Sequence, residues 1–384
     1  MNKIGVITII DYSNYGNRLQ NYATQEVLKS LGYEVETIRN NSYKKQKIKE
    51  IKDKFERVRS MQLNDLVRKV LHKFRYKLFK SNIEKKTRLL HEMKVKNFIK
   101  FTNENIYETS YEISPGNIPF DINELYSAFI VGSDQVWNPN FRMGSCIDFL
   151  TFAPKNKRIA YSASFGIAEL PQEYIHNYSF WLSEMPCISV REDAGAKIVK
   201  ELTGKDVDVL VDPTLMLTKE QWLLISKTAI HKPNKPYLLT YFLGGICPEN
   251  KEKIYSIARD KNLEVVNLED LEDEVRYVAD PAEFLDYINS SAIVFTDSFH
   301  GTVFSILFEK PFVVFDRIDN IQSMSSRIDT LLSKFKLDSR KWENVKNTDD
   351  IFNIDFSHVP EILEFERKKA IDYLKNALEV KDEK

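Results

Sequence analysis

Ile4-Gly5-Val6-Ile7-Thr8-Ile9-Ile10 is apolar at nearly every position. A strand that is wet on one face alternates; a run like this one suits a parallel strand covered on both faces. A polar loop follows, Asp11-Tyr12-Ser13-Asn14-Tyr15-Gly16. Leu19, Ala23, Val27 and Leu31 then recur at helical spacing, and Gly32 supplies a stop. Tyr33-Glu34-Val35-Glu36-Thr37-Ile38 reads as a second strand. Strand, helix and strand make a βαβ unit, whose crossover is expected to be right-handed. The chain therefore begins as an α/β protein.

The pattern continues. Strands are expected at Ala128-Phe129-Ile130-Val131-Gly132, Arg158-Ile159-Ala160-Tyr161-Ser162, Cys187-Ile188-Ser189-Val190 and Val207-Asp208-Val209-Leu210-Val211. Residues 227–236 are polar and carry Pro233 and Pro236, the composition of a linker. A second series follows at Tyr237–Phe242, Leu263–Val266, Ala292–Phe295 and Phe312–Phe315. An amphipathic helix over about Glu361 to Leu378 closes the chain. At 384 residues the chain exceeds one ordinary core. The expected fold is two doubly wound, Rossmann-like domains facing a cleft, over 1–226 and 237–345, with a helical tail over 346–384.

Residues 41–100 differ from the rest, with 20 Lys and Arg against 6 Asp and Glu and neither Gly nor Pro. Ile51, Phe55, Val58, Leu66, Val70, Phe74 and Leu78 are spaced helically, so 41–105 reads as a basic helical insertion in the first domain. The plain interpretation is a solvated hairpin lying on the sheet. The sharper one is a peripheral contact with anionic membrane lipid or a lipid-linked acceptor. The whole chain has a formal net charge of -1, which argues against nucleic-acid binding. Cys146, Cys187 and Cys247 lack redox or metal spacing, and reduced thiols in a cytoplasm are expected. Met1-Asn2-Lys3-Ile4 runs straight into a strand pattern, so no leader is expected, and no apolar run approaches a membrane span.

In open α/β sheets ligands sit beyond the carboxyl ends of the strands. Polar residues and glycines gather at those ends here: Asn14, Tyr15, Gly16, Asn17 and Gln20; Ser133, Asp134 and Trp137; Arg191; Asp212; Asp297, Ser298, His300 and Gly301. Several have plainer explanations. Ser13, Asn17 and Asp297 suit caps, and Asp212 before Pro213 suits a turn or an interdomain hydrogen bond. Trp137 beside Asp134 suits a sugar, which offers an apolar face and hydroxyl edges.

His300 stands apart from the other five histidines because it sits at a strand–turn–helix junction. The helix after it, Thr302-Val303-Phe304-Ser305-Ile306-Leu307-Phe308, is nearly all apolar and must be buried, so its N-terminus is expected to form a rigid anion site. A titrating group there suggests acid–base chemistry. Topology selects the cations. Lys310 precedes its strand and belongs at the opposite edge. Arg317 and Arg327 follow that strand, and Arg191 approaches from the first domain. Arginine binds carboxylate and phosphate bidentately. Neither a Gly-x-Gly-x-x-Gly, a Walker loop, a nucleophile elbow nor a metal-ligand spacing is found.

Asn14-Tyr15-Gly16-Asn17-Arg18-Leu19-Gln20, Val131-Gly132-Ser133-Asp134-Gln135-Val136-Trp137-Asn138, Tyr161-Ser162-Ala163-Ser164-Phe165-Gly166, Ser189-Val190-Arg191-Glu192, Asp212-Pro213-Thr214-Leu215 and Asp297-Ser298-Phe299-His300-Gly301-Thr302 together resemble the polysaccharide pyruvyl transferase family. The resemblance spans about residues 3–335 and omits the basic stretch. It implies a glycosyltransferase-B-like fold and transfer of pyruvate from phosphoenolpyruvate to sugar hydroxyls as a ketal. It matches His300 to the family's essential histidine and Arg191 to a donor-site arginine, with Arg317 best matching a further basic residue. Under it, His300 is the acid–base group, with Asp134 orienting or deprotonating the acceptor. The donor site is expected to hold Arg191, Ser298, Gly301, Arg317 and Arg327. The acceptor site is expected to hold Asn14, Tyr15, Gly16, Gln20, Ser133 and Trp137. Neither metal nor cofactor is called for, phosphoenolpyruvate being a co-substrate. The partner is a glycan, free or lipid-linked, and the place of action the cytoplasm or the inner face of the membrane. A nucleotide-sugar glycosyltransferase of the same fold and a non-catalytic glycan-binding protein are the competing readings.

Overall fold

The structure, a computed structural model, describes residues 2–41, 85–318, 326–347 and 350–379. Its first domain holds β1 (Lys3–Ile7), α1 (Tyr15–Ser30), β2 (Glu34–Asn40), a helix α2 over 85–105, β3 (Glu108–Ile113), β4 (Ala128–Val131), β5 (Arg158–Ala163), β6 (Cys187–Val190), α3 (Asp193–Thr203) and β7 (Asp208–Val209). The strands form one seven-stranded sheet in the order β3-β2-β1-β4-β5-β6-β7. Every pairing is parallel, and Ile4 aligns with Val35 on one side and Ala128 on the other. Ile4–Ile7 of the N-terminal apolar run thus lies inside the sheet, where both faces are covered, while Ile9 and Ile10 fall beyond the strand and are partly exposed. β3 is the strand that apolar patterning missed. Glu108-Thr109-Ser110-Tyr111-Glu112-Ile113 alternates at the sheet edge and shows no continuous apolar run.

The second domain holds β8 (Tyr237–Tyr241), α4 (Pro248–Asp260), β9 (Glu264–Asn267), α5 (Pro281–Ser290), β10 (Ile293–Thr296), α6 (Phe299–Leu307), β11 (Phe312–Val314) and α7 (Ser326–Lys334). Its sheet is parallel throughout, ordered β11-β10-β8-β9. The fold is therefore α/β with two parallel sheets, as expected.

Strand order reverses between β1 and β4 in the first sheet and between β8 and β10 in the second. Each reversal opens a crevice beyond the strand ends, the usual ligand position in such sheets. The two crevices face each other because the domains share a continuous apolar core. Tyr15 at the start of α1 stacks on Phe284 of α5 with ring centroids 4.4 Å apart, and its hydroxyl donates to the Ala279 carbonyl at 3.1 Å. Trp222 packs edge-on against Phe304 of α6. Large apolar interfaces of this kind oppose free domain motion.

Two helices reinforce the junction. α2 buries Leu90, Phe98 and Phe101, and reaches the second domain through the Lys94–Glu269 ion pair at 2.8 Å and the Asn97 side chain on the Val278 carbonyl at 2.7 Å. The C-terminal helix α8 (Val359–Glu379) returns to the first domain, where the Tyr373 hydroxyl donates to the Ala160 carbonyl and Arg367 to those of Leu215 and Leu217. Residues 42–84 of the expected basic insertion, and with them most of the stretch 41–100 expected as a possible membrane contact, lie outside the described residues. None of the described helices is long and apolar enough to cross a membrane.

Candidate functional site

The turn between β10 and α6 is fixed from three directions. Thr296 donates its hydroxyl to the Tyr241 carbonyl of β8 at 2.6 Å and accepts the Ser298 amide at 2.9 Å. Ser298 caps α6, accepting the Gly301 amide at 3.3 Å. Asp297, expected to be a cap, instead accepts the amides of Leu243 and Gly244, both at 2.7 Å, and so joins the loops that follow the second domain's two central strands. Gly301 is a packing residue. A Cβ there would lie 2.6 Å from the Thr296 hydroxyl, so the small residue lets α6 lie close on β10.

This rigid turn places His300 at the second position of α6, 6% exposed. Its Nε2 points at Asp212 of the first domain, 3.7 Å from Oδ1, and is shut off from solvent without a hydrogen-bond partner. On the other side of the ring, a Cβ at Gly16 would stand 2.0 Å from Nδ1. Gly16, expected to touch the acceptor, is therefore the residue that makes room for the imidazole.

Asp212 is saturated. Oδ1 accepts the Thr214 amide at 3.0 Å and hydroxyl at 2.7 Å; Oδ2 accepts the Ser133 hydroxyl at 2.9 Å and Arg191 Nη1 at 2.6 Å. Burial alone would raise its pKa, but His300, Arg191 and Thr214 hold the carboxyl well below the usual range. Ser133 consequently supports Asp212 and is not among the cleft-lining residues. Arg191 also lies 3.7 Å from Asp134 and has its guanidinium 4.3 Å from the Phe299 ring centroid. These carboxylates, with Glu192, keep Arg191 firmly protonated despite its burial.

Asp134 follows β4 with a left-handed φ of 64°. The preceding Gly132 has φ 118°, and a Cβ there would meet the Tyr161 carbonyl oxygen at 2.2 Å. Asn17 donates to Asp134 Oδ2 at 3.0 Å and to the Ile9 carbonyl at 2.9 Å, linking the two loops that flank the first domain's crevice. Asn14 is the true cap of α1, accepting the Asn17 amide at 3.0 Å. Burial raises the Asp134 pKa, yet Arg191, His300, Asn17 and Arg327 hold it below the ordinary range.

These groups meet in a cleft of about 260 Å³ lined by Ile9, Asp11, Asn14, Asn17, Asp134, Gln135, Phe141, Leu243, Ser298, Phe299, His300, Arg317 and Arg327. Arg317 is braced on Asp297, with Nε 3.4 Å from its carbonyl and 3.7 Å from its carboxylate. Of the expected site residues, His300, Asp134, Ser298, Asn14, Arg317 and Arg327 line this one cleft. Lys310 does not.

Besides Gly16 and Ser133, three further expected acceptor residues are elsewhere. Trp137 is 0% exposed; its ring stacks on Phe149 at 5.5 Å and its Nε1 donates to the Asp148 carbonyl at 2.8 Å. It belongs to an aromatic core with Phe165 and Tyr178, so it offers no platform to a sugar. Tyr15 is an interdomain core residue. Gln20 is buried beneath the β1 end, donating to the Thr8 hydroxyl at 2.9 Å. In each case burial overrides a local sequence cue. Asp212, Asn17 and Asp11 are the site residues that sequence reasoning passed over. Asp212 lay at a strand end with the others, a signal set aside for the plainer explanation of a turn or an interdomain hydrogen bond. Among the described residues, no cluster of three or more His, Cys, Asp or Glu is placed to hold a metal ion.

The model of the polysaccharide pyruvyl transferase family matches residues 14–320. No curated protein matches the chain. Among solved structures, the chain is similar to a putative UDP-N-acetylglucosamine 2-epimerase from Listeria monocytogenes, with 12% identity, TM-score 0.48, and 97% of this chain and 90% of that one covered. It is also similar to the Neisseria meningitidis UDP-GlcNAc 2-epimerase bound to UDP-GlcNAc, with 11% identity, TM-score 0.42, and coverage of 99% and 98%.

Proposed function

Because the chain belongs to the polysaccharide pyruvyl transferase family, we propose that it transfers pyruvate from phosphoenolpyruvate to two hydroxyls of one sugar, forming a ketal and releasing phosphate. The observation that carries this reading is His300, backed by Asp212, in a cleft that also presents Arg317, Arg327 and the N-terminus of α6. The donor bears a carboxylate and a phosphate, and a helix N-terminus with two guanidinium groups suits such an anion.

The bonds balance as follows. The methylene carbon of the donor takes a proton and becomes methyl, while C2 takes on cationic character and accepts the first sugar oxygen. The second sugar oxygen then displaces phosphate from C2: the bond between C2 and the bridging oxygen breaks, and its electron pair leaves on the phosphate. The two hydroxyl protons end on the methyl group and on phosphate or solvent. His300 is the group placed to move the proton, and Asp212 fixes its orientation from the Nε2 side. Asp134 is held ionised, which makes it a weak base but a good acceptor, so its role is to orient a sugar hydroxyl. The acceptor is a sugar of a surface polysaccharide or of its lipid-linked precursor. The three free cysteines suit a cytoplasmic setting.

The test is ligand stabilisation in thermal melts. Phosphoenolpyruvate is expected to raise the melting temperature where nucleotide sugars do not. The reverse would favour a nucleotide-sugar glycosyltransferase and end this reading. His300→Ala is expected to lower kcat by about 100-fold or more.

A further inference from the structure

We infer that Arg327 is the seat of the donor's phosphoryl group, while Arg191 serves as the internal counter-ion of Asp212 and Asp134. The donor's identity rests on the pyruvyl-transfer reading; the anion seat does not.

The two arginines differ in what already surrounds them. Arg191 has Asp212 at 2.6 Å and Asp134 at 3.7 Å, and the Phe299 ring covers its face. Its charge is already met by these two carboxylates at close range. Arg327 is equally enclosed, 5% exposed, yet no carboxylate among the described residues stands within ion-pair distance of it. Its Nε is shut off from solvent with no partner, and the residue lines the cleft. Burial first, and then the nearby Arg191, lower its pKa to about 9 against the opposing pull of Glu192 and Asp134, so it is still a cation at neutral pH. A buried guanidinium without a close hydrogen-bonded partner is costly to the fold, and an arriving anion offsets that cost.

Geometry selects phosphoryl over carboxylate. Arg317 and the first turn of α6, whose amides have no intrahelical acceptor, open on the same cleft. A tetrahedral group accepts from several directions at once; a planar carboxylate is satisfied by one guanidinium fork. Arg327 also lies beyond residue 320, where the family match ends.

The experiment measures binding of inorganic phosphate to the full chain as wild type, Arg327→Met and Arg327→Lys, by calorimetry and by thermal melts at constant ionic strength. Wild type is expected to bind phosphate, Arg327→Met to bind it roughly tenfold more weakly or worse, and Arg327→Lys to retain part of the affinity. Without phosphate, Arg327→Met is expected to melt above wild type, because the unpaired charge is gone; an arginine with a purely structural role gives the opposite sign. Equal phosphate affinity in Arg327→Met, no phosphate binding by wild type, or a lower melting temperature of the phosphate-free variant would each overturn the inference. Phosphate bound through Arg327 with none released from phosphoenolpyruvate on any glycan would sustain the seat and refute the transfer reading.

Discussion

His300 Nε2, carried by the second domain, stands 3.7 Å from Oδ1 of Asp212, carried by the first. The histidine proposed to move the proton and the carboxylate that faces it thus come from different domains, and the pair exists only while the two sheets are docked. The apolar junction through Tyr15 and Phe284 maintains that docking.

Asp212→Asn keeps the shape but removes the charge facing the imidazole. It is expected to lower kcat by about 100-fold or more while changing KM for the donor little, as read by steady-state kinetics. An unchanged kcat would remove Asp212 from the site.

The same residue sets a pH dependence of stability. Its folded pKa is depressed, as is that of Asp134. A depressed carboxylate stabilises the fold at every pH above its unfolded value, about 4, and that contribution is lost as pH falls toward the folded value. Melting temperatures are expected to hold from neutral pH to about 5 and fall below about 4, with a shallower fall in Asp212→Asn.

Gly16→Ala sets two effects against each other. Alanine in a helix gains up to about 1 kcal/mol over glycine, but the new methyl would sit 2.0 Å from His300 Nδ1. The imidazole has to move. Activity is expected to fall by about 100-fold or more with only a small change in melting temperature.

Trp137→Phe and Tyr15→Phe are expected to act on stability alone. The first loses packing and the hydrogen bond to Asp148, about 1–3 kcal/mol; the second leaves the Ala279 carbonyl unpaired, about 1 kcal/mol. Denaturant melts would record these losses. A selective rise in KM for the glycan in either variant would restore it to the acceptor site.

Lys94 is 2% exposed, faces Glu269 and lies over the Tyr15 and Tyr277 rings. Lys94→Met is expected to cost about 3–5 kcal/mol, because it leaves a carboxylate that burial already pushes up. The double variant Lys94→Met/Glu269→Met is expected to recover much of that loss.

Local pattern carried the two sheets, since apolar runs such as Ile4–Ile7 suit a parallel strand covered on both faces. The strand ends carried His300, Asp134, Asn14, Ser298, Arg317 and Arg327. What escaped depended on partners far away in sequence. Trp137 is enclosed by Phe149 and Tyr178, and Gly16 is defined by a histidine from the other domain. Asp212 looked like a turn residue beside Pro213, and it caps that turn, but its second oxygen meets Arg191 and Ser133.

The central claim is tested most directly by incubating the protein with phosphoenolpyruvate and a panel of free and lipid-linked glycans, and measuring phosphate release together with the mass of the glycan. The expected result is one phosphate released for each pyruvyl ketal gained, dependent on the glycan and abolished in His300→Ala. Glycan modification that consumes a nucleotide sugar, with phosphoenolpyruvate left intact, would contradict it.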